Sequence, residues 1–349
     1  MTFRTLITAA TAGFLPVAAL AETLTVVNQG GAPGEAQQTA VFTPFSEETG
    51  IEIVVDTYNQ ELAKIRGQVE TGNLLWDVLS VHSLNESIAC DEGLLERVDW
   101  SELLDQADFA AIGGFGACGA PYLVSPGAMV FDADKYPDNP PATWQDFWDV
   151  ETWPGKRALP HQPDQVLEVA LMADGVAPQD VPDVLAGPGG ADRAFAKLEE
   201  LKPHILWWKS GDESMQLLLT GEVAMGYGWQ GRVNTANRSN NRNLKISWPA
   251  GYTSAVIYLA IMAGSPNVDA AKQLIAYALK SDVQANYAEI MGYPPANASA
   301  YALLSEENRA NQPTDYQDLG MMQAGETYLT FWQDHGDELR QRFASFAAR

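Results

Sequence analysis

Basic residues, histidine and cysteine are all scarce in this chain of 349 residues. There are 21 lysines and arginines against 45 aspartates and glutamates, with four histidines and two cysteines. The resulting formal net charge of −24 repels phosphate backbones, so no nucleic-acid partner is expected. An acidic surface favours solubility as readily as it attracts a cationic solute. His82, His161, His204 and His335 are dispersed and show no H-E-x-x-H spacing, so neither a metal nor a cofactor is expected. G-x-S-x-G and P-loop patterns are lacking too, which removes the usual signals of a serine hydrolase or a nucleotide-binding enzyme. Beyond residue 21, glycine, proline or charge interrupts every apolar run before it reaches the length of a membrane span.

The one apolar run of note is at the start. Arg4 precedes an apolar stretch over residues 6–20, and Ala19-Leu20-Ala21 forms an A-x-A site before Glu22. That pattern reads as a secretory signal peptide, residues 1–21, cleaved after Ala21. Its shortness and the internal Pro16 argue against a membrane anchor. In an exported chain, Cys90 and Cys118 read as one disulfide rather than a reactive pair, because their spacing is far from C-x-x-C. Closing that loop contributes about 3 kcal/mol.

The first part of the mature chain alternates strand and helix patterns. Strands are expected at 24–27, 51–55 and 76–81, with helices at 34–49 (kinked by Pro44) and 61–71. Strands alternating with helices imply a mainly parallel sheet flanked by helices, whose ligands sit beyond the carboxyl ends of the strands. The loops 28–33, with Gln29, Gly30 and Gly31, and 80–84, with Ser80 and His82, follow such ends. Residues 132–164 are rich in proline and tryptophan, and Trp144, Trp148 and Trp153 read as surface anchors there. The α/β pattern then resumes, with helices at 165–174, 191–201, 212–220 and 230–239. Strands lie between them at 205–209, 223–227 and 244–248. A buried strand at 256–262 is followed by helices at 268–280, 282–290 and 323–347. The architecture is therefore an α/β protein of two lobes. One lobe comprises 22–131 plus 256–300. The other comprises 132–255 plus 301–349, with a hinge near 131 and 255.

Several motifs bear on function. Residues 114–119 match G-x-G-x-x-G, but Pro121 follows at once, so a loop tied by Cys118 is the better reading than a dinucleotide site. Gly187-Pro188-Gly189-Gly190 reads as a turn with a helix start rather than an anion site. Trp229 ends the strand at 223–227 beside Gly228 and Gly231, which allow close approach to the backbone. Its ring can hold an amino group by cation–π attraction worth about 0.5–2 kcal/mol. Arg232 offers a bidentate partner for a carboxylate or phosphonate. Asp212 and Glu213 are candidate amine partners, though a helix N-terminus favours acids in its own right.

The segments VVNQGG at 26–31, FDADKYPDNPPATWQDFWDVETWPGKRAL at 131–159 and EVALMADGV at 168–176 carry a resemblance, as do GEVAMGYGWQGR at 221–232 and AEIMGYPPAN at 288–297. Through them the chain resembles the spermidine/putrescine-type branch of periplasmic binding proteins, within family 1 of bacterial extracellular solute-binding proteins. The resemblance implies the two-lobed type II fold, periplasmic location and a monomeric, non-enzymatic receptor. Such a receptor hands a small solute to the inner-membrane permease of an ABC transporter. A secreted enzyme or a ligand sensor on the same scaffold are the alternatives. The resemblance places Trp229, Tyr293, Ser80 and His82 at the ligand. It also exposes departures. Gln29 stands where relatives have a tryptophan, Gln162 and Gln165 where polyamine binders place acids, and Ile257 where a further acid is expected. Burying ammonium groups without such partners costs several kcal/mol. The expected solute is therefore amine-containing but less cationic, a zwitterion such as a gamma-amino acid or an aminophosphonate.

Overall fold

The computed structural model describes residues 22–348, so the expected signal peptide, residues 1–21, lies outside the described residues. Its strands, in chain order, are β1 (Thr23–Asn28), β2 (Glu52–Thr57), β3 (Val78–His82), β4 (Ala120–Asp132), β5 (Lys156–Pro160), β6 (Ile205–Trp208), β7 (Val223–Trp229), β8 (Leu244–Ile246), β9 (Tyr252–Ile261) and β10 (Gly320–Met322). They form one curled sheet in the order β2-β1-β3-β9-β4-β7-β5-β6, with β10 added to β9 and β8 to β4.

Each end of this sheet is parallel. β1 lies between β2 and β3, and β5 lies between β6 and β7, all running the same way within each set. The residues that build these strands sort by the two-residue period of a pleated chain. Val26, Val78 and Ile257 point into one apolar cluster with Phe42, Tyr122 and Tyr287. Their neighbours Val27, Leu79 and Val256 point through the sheet into another, with Trp76, Cys90 and Cys118. A separate large cluster joins Met129 and Phe131 to Trp144, Leu159, Val166, Trp332 and Phe343. Each large apolar side chain buried in this way contributes about 1.5–3 kcal/mol.

Two antiparallel strands hold the halves together. The first part of β4 pairs with β9, setting Ser125 opposite Ala255 and Gly127 opposite Thr253. From Gly127 onward β4 also pairs with β7, setting Gly127 opposite Trp229. Gly127 is required at this change of partner. A Cβ there would overlap the hydroxyl and ring of Tyr227. That ring is buried, and its hydroxyl shares a 2.6 Å hydrogen bond with Thr253 of β9.

The structure corrects several expectations. β4, at thirteen residues, lies where no strand was expected. Pro121, Pro126 and Gly127 break its alternation, and they fall at an irregularity in register and at the partner switch. β5 and β10 are likewise additional, and the expected strand 256–262 runs instead from Tyr252 to Ile261. The helix expected at 34–49 is a run of Gly31–Gln37, a π-helical turn Gln38–Phe42 and Thr43–Thr49. Pro44 has no N–H for the carbonyl four residues back, and a π turn absorbs that missing bond. Trp144 and Trp153 are not surface anchors. Both are buried, and Trp144 Nε1 donates to the Gly251 carbonyl at 3.0 Å. Trp148 is half-buried and donates to the Lys197 carbonyl at 2.9 Å.

The Cys90–Cys118 disulfide is present, and both cysteines are buried. The glycine-rich loop before β4 opens no helix. Its Cys118 and Gly119 N–H groups donate to the buried Glu86 carboxylate at 2.7 and 2.8 Å.

Replacing Gly127 by Ala should lower stability by about 1–3 kcal/mol, because the added methyl must displace Tyr227 from between β4 and β9. Chemical denaturation of the variant against the wild type checks this. An unchanged midpoint would mean the crossing tolerates a side chain at this position.

Candidate ligand-binding cleft

A cleft of about 520 Å³ opens where the parallel strands of the two halves end. That size suits a small solute. Gln29 follows β1, Ser80 and His82 end β3, and the turn after β5 carries Gln162, Asp164 and Gln165. Trp208 ends β6, Trp229 ends β7, and Leu123, Ser125, Ala255 and Ile257 of β4 and β9 complete the walls. The carboxyl ends of both parallel sets therefore converge, as the strand order requires of an open α/β sheet.

On the wall formed by β1 and β3, three donors fix the Ser80 carbonyl. Gln29 Nε2 lies at 2.7 Å, Tyr58 Oη at 2.9 Å and Gln60 Nε2 at 3.0 Å. Gln60 also accepts from the His82 backbone N–H at 3.0 Å. Gln29 thus serves the wall itself. Burial pushes the His82 imidazole down to about 4, so it is neutral at physiological pH.

The aromatic face is a pair of tryptophans. Trp229 meets Trp208 edge to face, with ring centroids 5.3 Å apart, and packs in the same way on Tyr227 at 5.8 Å. Trp229 is also the residue that touches both large apolar clusters. Trp208 was missed in the sequence reading, although Trp207-Trp208 ends a strand and its second member falls at a carboxyl terminus.

Arg232 sits on the first turn of the helix Gln230–Asn240, 9 % exposed, and forms an ion pair with Asp212. Asp212 is therefore a partner of Arg232 and not a free amine partner, while Glu213 accepts from the Lys209 N–H at 2.8 Å at its own helix start. Tyr293 lies against Gly231, where a Cβ would collide with its ring, so this glycine makes room for Tyr293. Gly228 likewise makes room for Met215 and Val130. Gly30 and Gly31, with φ of 64° and 59°, turn the chain after β1. A Cβ on Gly31 would stand 2.9 Å from Asp212 Oδ2 and 3.2 Å from Arg232 Nη1. Gly31 thus lets the loop close on the ion pair, whereas Gly30 packs against Thr57.

A second charged corner has no counterpart in the sequence reading. Asp164 lines the cleft between Gln162 and Gln165, and Gln162 Nε2 lies 3.4 Å from its Oδ2. Gln165 is buried at φ 72°, a backbone region unusual for a side-chain-bearing residue, and its amide oxygen has no partner among the described residues. Four residues on, on the helix Val166–Ala173, is Glu168, fully buried. Its Oε1 accepts from the Tyr328 hydroxyl at 3.0 Å, which in turn accepts from Gln323 Nε2 at 3.0 Å. Burial pushes the Glu168 carboxyl up to about 8, the Asp164 charge adding to it. Burial also raises Asp164, against the pull of Arg340. Asp164 was legible as a residue but hidden as a site, because the flanking glutamines drew the comparison with acidic positions of polyamine binders.

The chain is similar to known proteins over most of its length. Residues 40–319 match the family described as bacterial extracellular solute-binding protein. The chain is 39 % identical over 331 residues to a gamma-aminobutyric acid-binding protein of Pseudomonas aeruginosa, covering 95 % of this chain and 92 % of that one. It is 26 % identical over 300 residues to the spermidine/putrescine-binding periplasmic protein of Escherichia coli, covering 83 % and 81 %. Among solved structures, an ABC transporter substrate-binding protein from Bradyrhizobium japonicum superposes with a TM-score of 0.81 at 32 % identity, covering 93 % and 99 %. The structure described as Atu4243-GABA receptor gives a TM-score of 0.81 at 29 % identity, covering 94 % and 98 %. The class is that of two-lobed periplasmic binding proteins. The chain belongs to the bacterial extracellular solute-binding protein family.

Glu168 makes stability depend on pH in a defined direction. Its folded value lies above the ordinary carboxyl value, so its contribution is full below the ordinary value of 4.5, falls as pH rises from there and is lost by about 8. Glu168→Gln keeps an acceptor for Tyr328 and removes the ionisation. The ligand-free variant should match the wild type at pH 4 and exceed it at pH 9 by on the order of a few kcal/mol. Denaturation midpoints at the two pH values decide it. Equal midpoints at pH 9 would show that Glu168 ionises there at no cost.

Proposed function

We propose that this protein is the receptor subunit of an ABC importer for a small zwitterion of the gamma-aminobutyrate type. The observation that carries this reading is the charge layout of one cleft. A nearly buried guanidinium, Arg232, has Tyr293, Gly31 and Asp212 around it. A carboxylate, Asp164, has Glu168 and Arg340 around it. The two groups keep separate neighbours, and Trp229 lines the same cleft. The ligand's acid group sits on Arg232, displacing Asp212, and its ammonium group lies toward Asp164 and Gln165 with Trp229 alongside. Gln162 flanks the ammonium at the mouth, and Ser80, His82 and Tyr293 shape the remaining walls.

Binding closes the lobes about the two crossings, near 131 and 255, through the higher affinity of the closed state. The 22–131 plus 256–300 and 132–255 plus 301–349 division follows from that hinge. The chain is secreted to the periplasm with cleavage after Ala21, acts as a monomer and delivers its solute to the inner-membrane permease without chemical change. The similar proteins named for gamma-aminobutyrate support the ligand class. A polyamine is the second reading, and Asp164 with Glu168 favours it.

A thermal-shift screen of the protein from Glu22 onward separates these readings. Gamma-aminobutyrate or a related amino acid or aminophosphonate, at about a hundred times its dissociation constant, should add about 2.7 kcal/mol of stability. That response should weaken at least tenfold in Arg232→Ala, with the loss of a charge-assisted bidentate contact. A response to putrescine or spermidine alone, or an unaltered response in the variant, would overturn the zwitterion pose.

A further inference from the structure

Two carboxyls act on each other at the start of the helix Val166–Ala173: Asp164, in the turn before it and lining the cleft, and Glu168, fully buried on it behind the lining. Glu168 is spent neither on an ion pair nor on a full set of hydrogen bonds. Its Oε1 takes the Tyr328 hydroxyl, and its Oε2 is buried with no partner among the described residues. Directly above, the Gln165 amide oxygen is also buried and unpartnered. An ammonium group carries three N–H donors and no acceptor. The corner therefore presents acceptors in excess, held in place before any ligand arrives.

The groups around Glu168 decide its charge. Asp164 faces it from its own turn, Tyr328 from the helix Glu326–Ala347 and Tyr227 from β7, and Tyr227 feels both carboxyls. The one cation in reach acts on Asp164: Arg340, which is itself paired with Asp337 at 2.8 Å. His82, across the cleft, is neutral. Arg340 favours the charge on half-buried Asp164, and no cation acts on fully buried Glu168 among the described residues, so Glu168 is the carboxyl that ionises with more difficulty. Glu168 holds the proton in the empty cleft, and the carboxyl pair carries one negative charge.

We propose that Glu168 is the proton-linked positioning residue of the ammonium subsite. When a cationic group settles against Asp164 and Gln165, the O–H bond of Glu168 breaks. Its proton passes to bulk buffer, and the subsite gains the second negative charge. The receptor thereby selects for cations, because a neutral group of the same shape cannot draw out that proton. Tyr328 links the event to the rest of the molecule. Its hydroxyl accepts from Gln323, whose backbone N–H donates to Ser254 of β9 at 2.7 Å and whose carbonyl accepts from Ser83 of the opposite wall at 2.6 Å. This inference rests on the amine-ligand reading above and extends it to the subsite's chemistry.

Calorimetry with gamma-aminobutyrate, in phosphate and in Tris at pH 7.5, measures the proton count from the difference in heats. The wild type should release about half to one proton, and its affinity should rise about tenfold from pH 6.5 to 8.5. The ligand's own groups titrate outside that window. Glu168→Gln should still bind, release no proton and show affinity independent of pH, while keeping the wild-type melting temperature at pH 4. Binding by the wild type with no proton released overturns the proposal and leaves the ligand reading intact. Release that persists in Glu168→Gln overturns it by assigning the proton to Asp164. Absence of binding by gamma-aminobutyrate and every other amine tested removes the ligand reading, and this proposal with it.

Discussion

Everything in the cleft depends on the contact between β4 and β9. These two strands serve both halves of the sheet, and they run antiparallel between two parallel sets. Their pairing brings two groups of strand ends face to face. It leaves Gly127, Tyr227 and Thr253 as the tightest point of the crossing, where a hydroxyl–hydroxyl bond sits in a fully dry setting. A bond of that kind contributes only about 1 kcal/mol when made, yet leaving either partner unsatisfied costs more. The crossing is specified as much by the penalty for misplacing it as by the energy of forming it.

The sequence made the first parallel set legible, because its strands keep a simple rule, while β5 of the second set was hidden. Val26 and Val27, or Val78 and Leu79, are apolar on both faces, and the helices between them keep a helical period. It hid β4 because Pro121, Pro126 and Gly127 signal a turn in any local reading. Only the long-range pairing with β9 and β7 makes an extended path there worth its conformational cost. Trp144 was read as exposed for a related reason. Proline-rich neighbours suggested a surface, while its indole N–H found the Gly251 carbonyl more than a hundred residues on. The site was partly legible: Trp229, Arg232 and Ser80 were placed by strand ends. Asp164 and Trp208 were not, since their role follows from burial and partners rather than from residue type.

Two kinds of carboxylate now explain how a cleft can be selective inside a strongly acidic protein. Most acids lie in water, where screening leaves each worth little to a ligand. Asp164 is half-buried and Glu168 behind it lies where the dielectric is low and charge is expensive, so a cation at that corner meets a response that the surface cannot give. Loss of the aromatic and acidic positions of polyamine binders at Gln29, Gln162 and Ile257 leaves one such corner rather than a row of them. One corner suits one ammonium group.

Arg232 supplies the opposite requirement by a different device. Its guanidinium is 9 % exposed, whereas the Asp212 side chain that pairs with it is 69 % exposed. In the zwitterion pose proposed above, an exchange of Asp212 for a ligand carboxylate returns Asp212 to water at little cost, since a pair with one solvated member is worth about 0–1 kcal/mol. The incoming carboxylate gains a bidentate, desolvated contact that Asp212 has only in part. Gly31 stands against this ion pair, so whichever carboxylate Arg232 holds sets how closely the loop after β1 can approach from the other half. The guanidinium is never left unpaired, the empty cleft avoids the several-kcal/mol penalty of a buried lone charge, and the ligand competes with a weak internal partner instead of with bulk water.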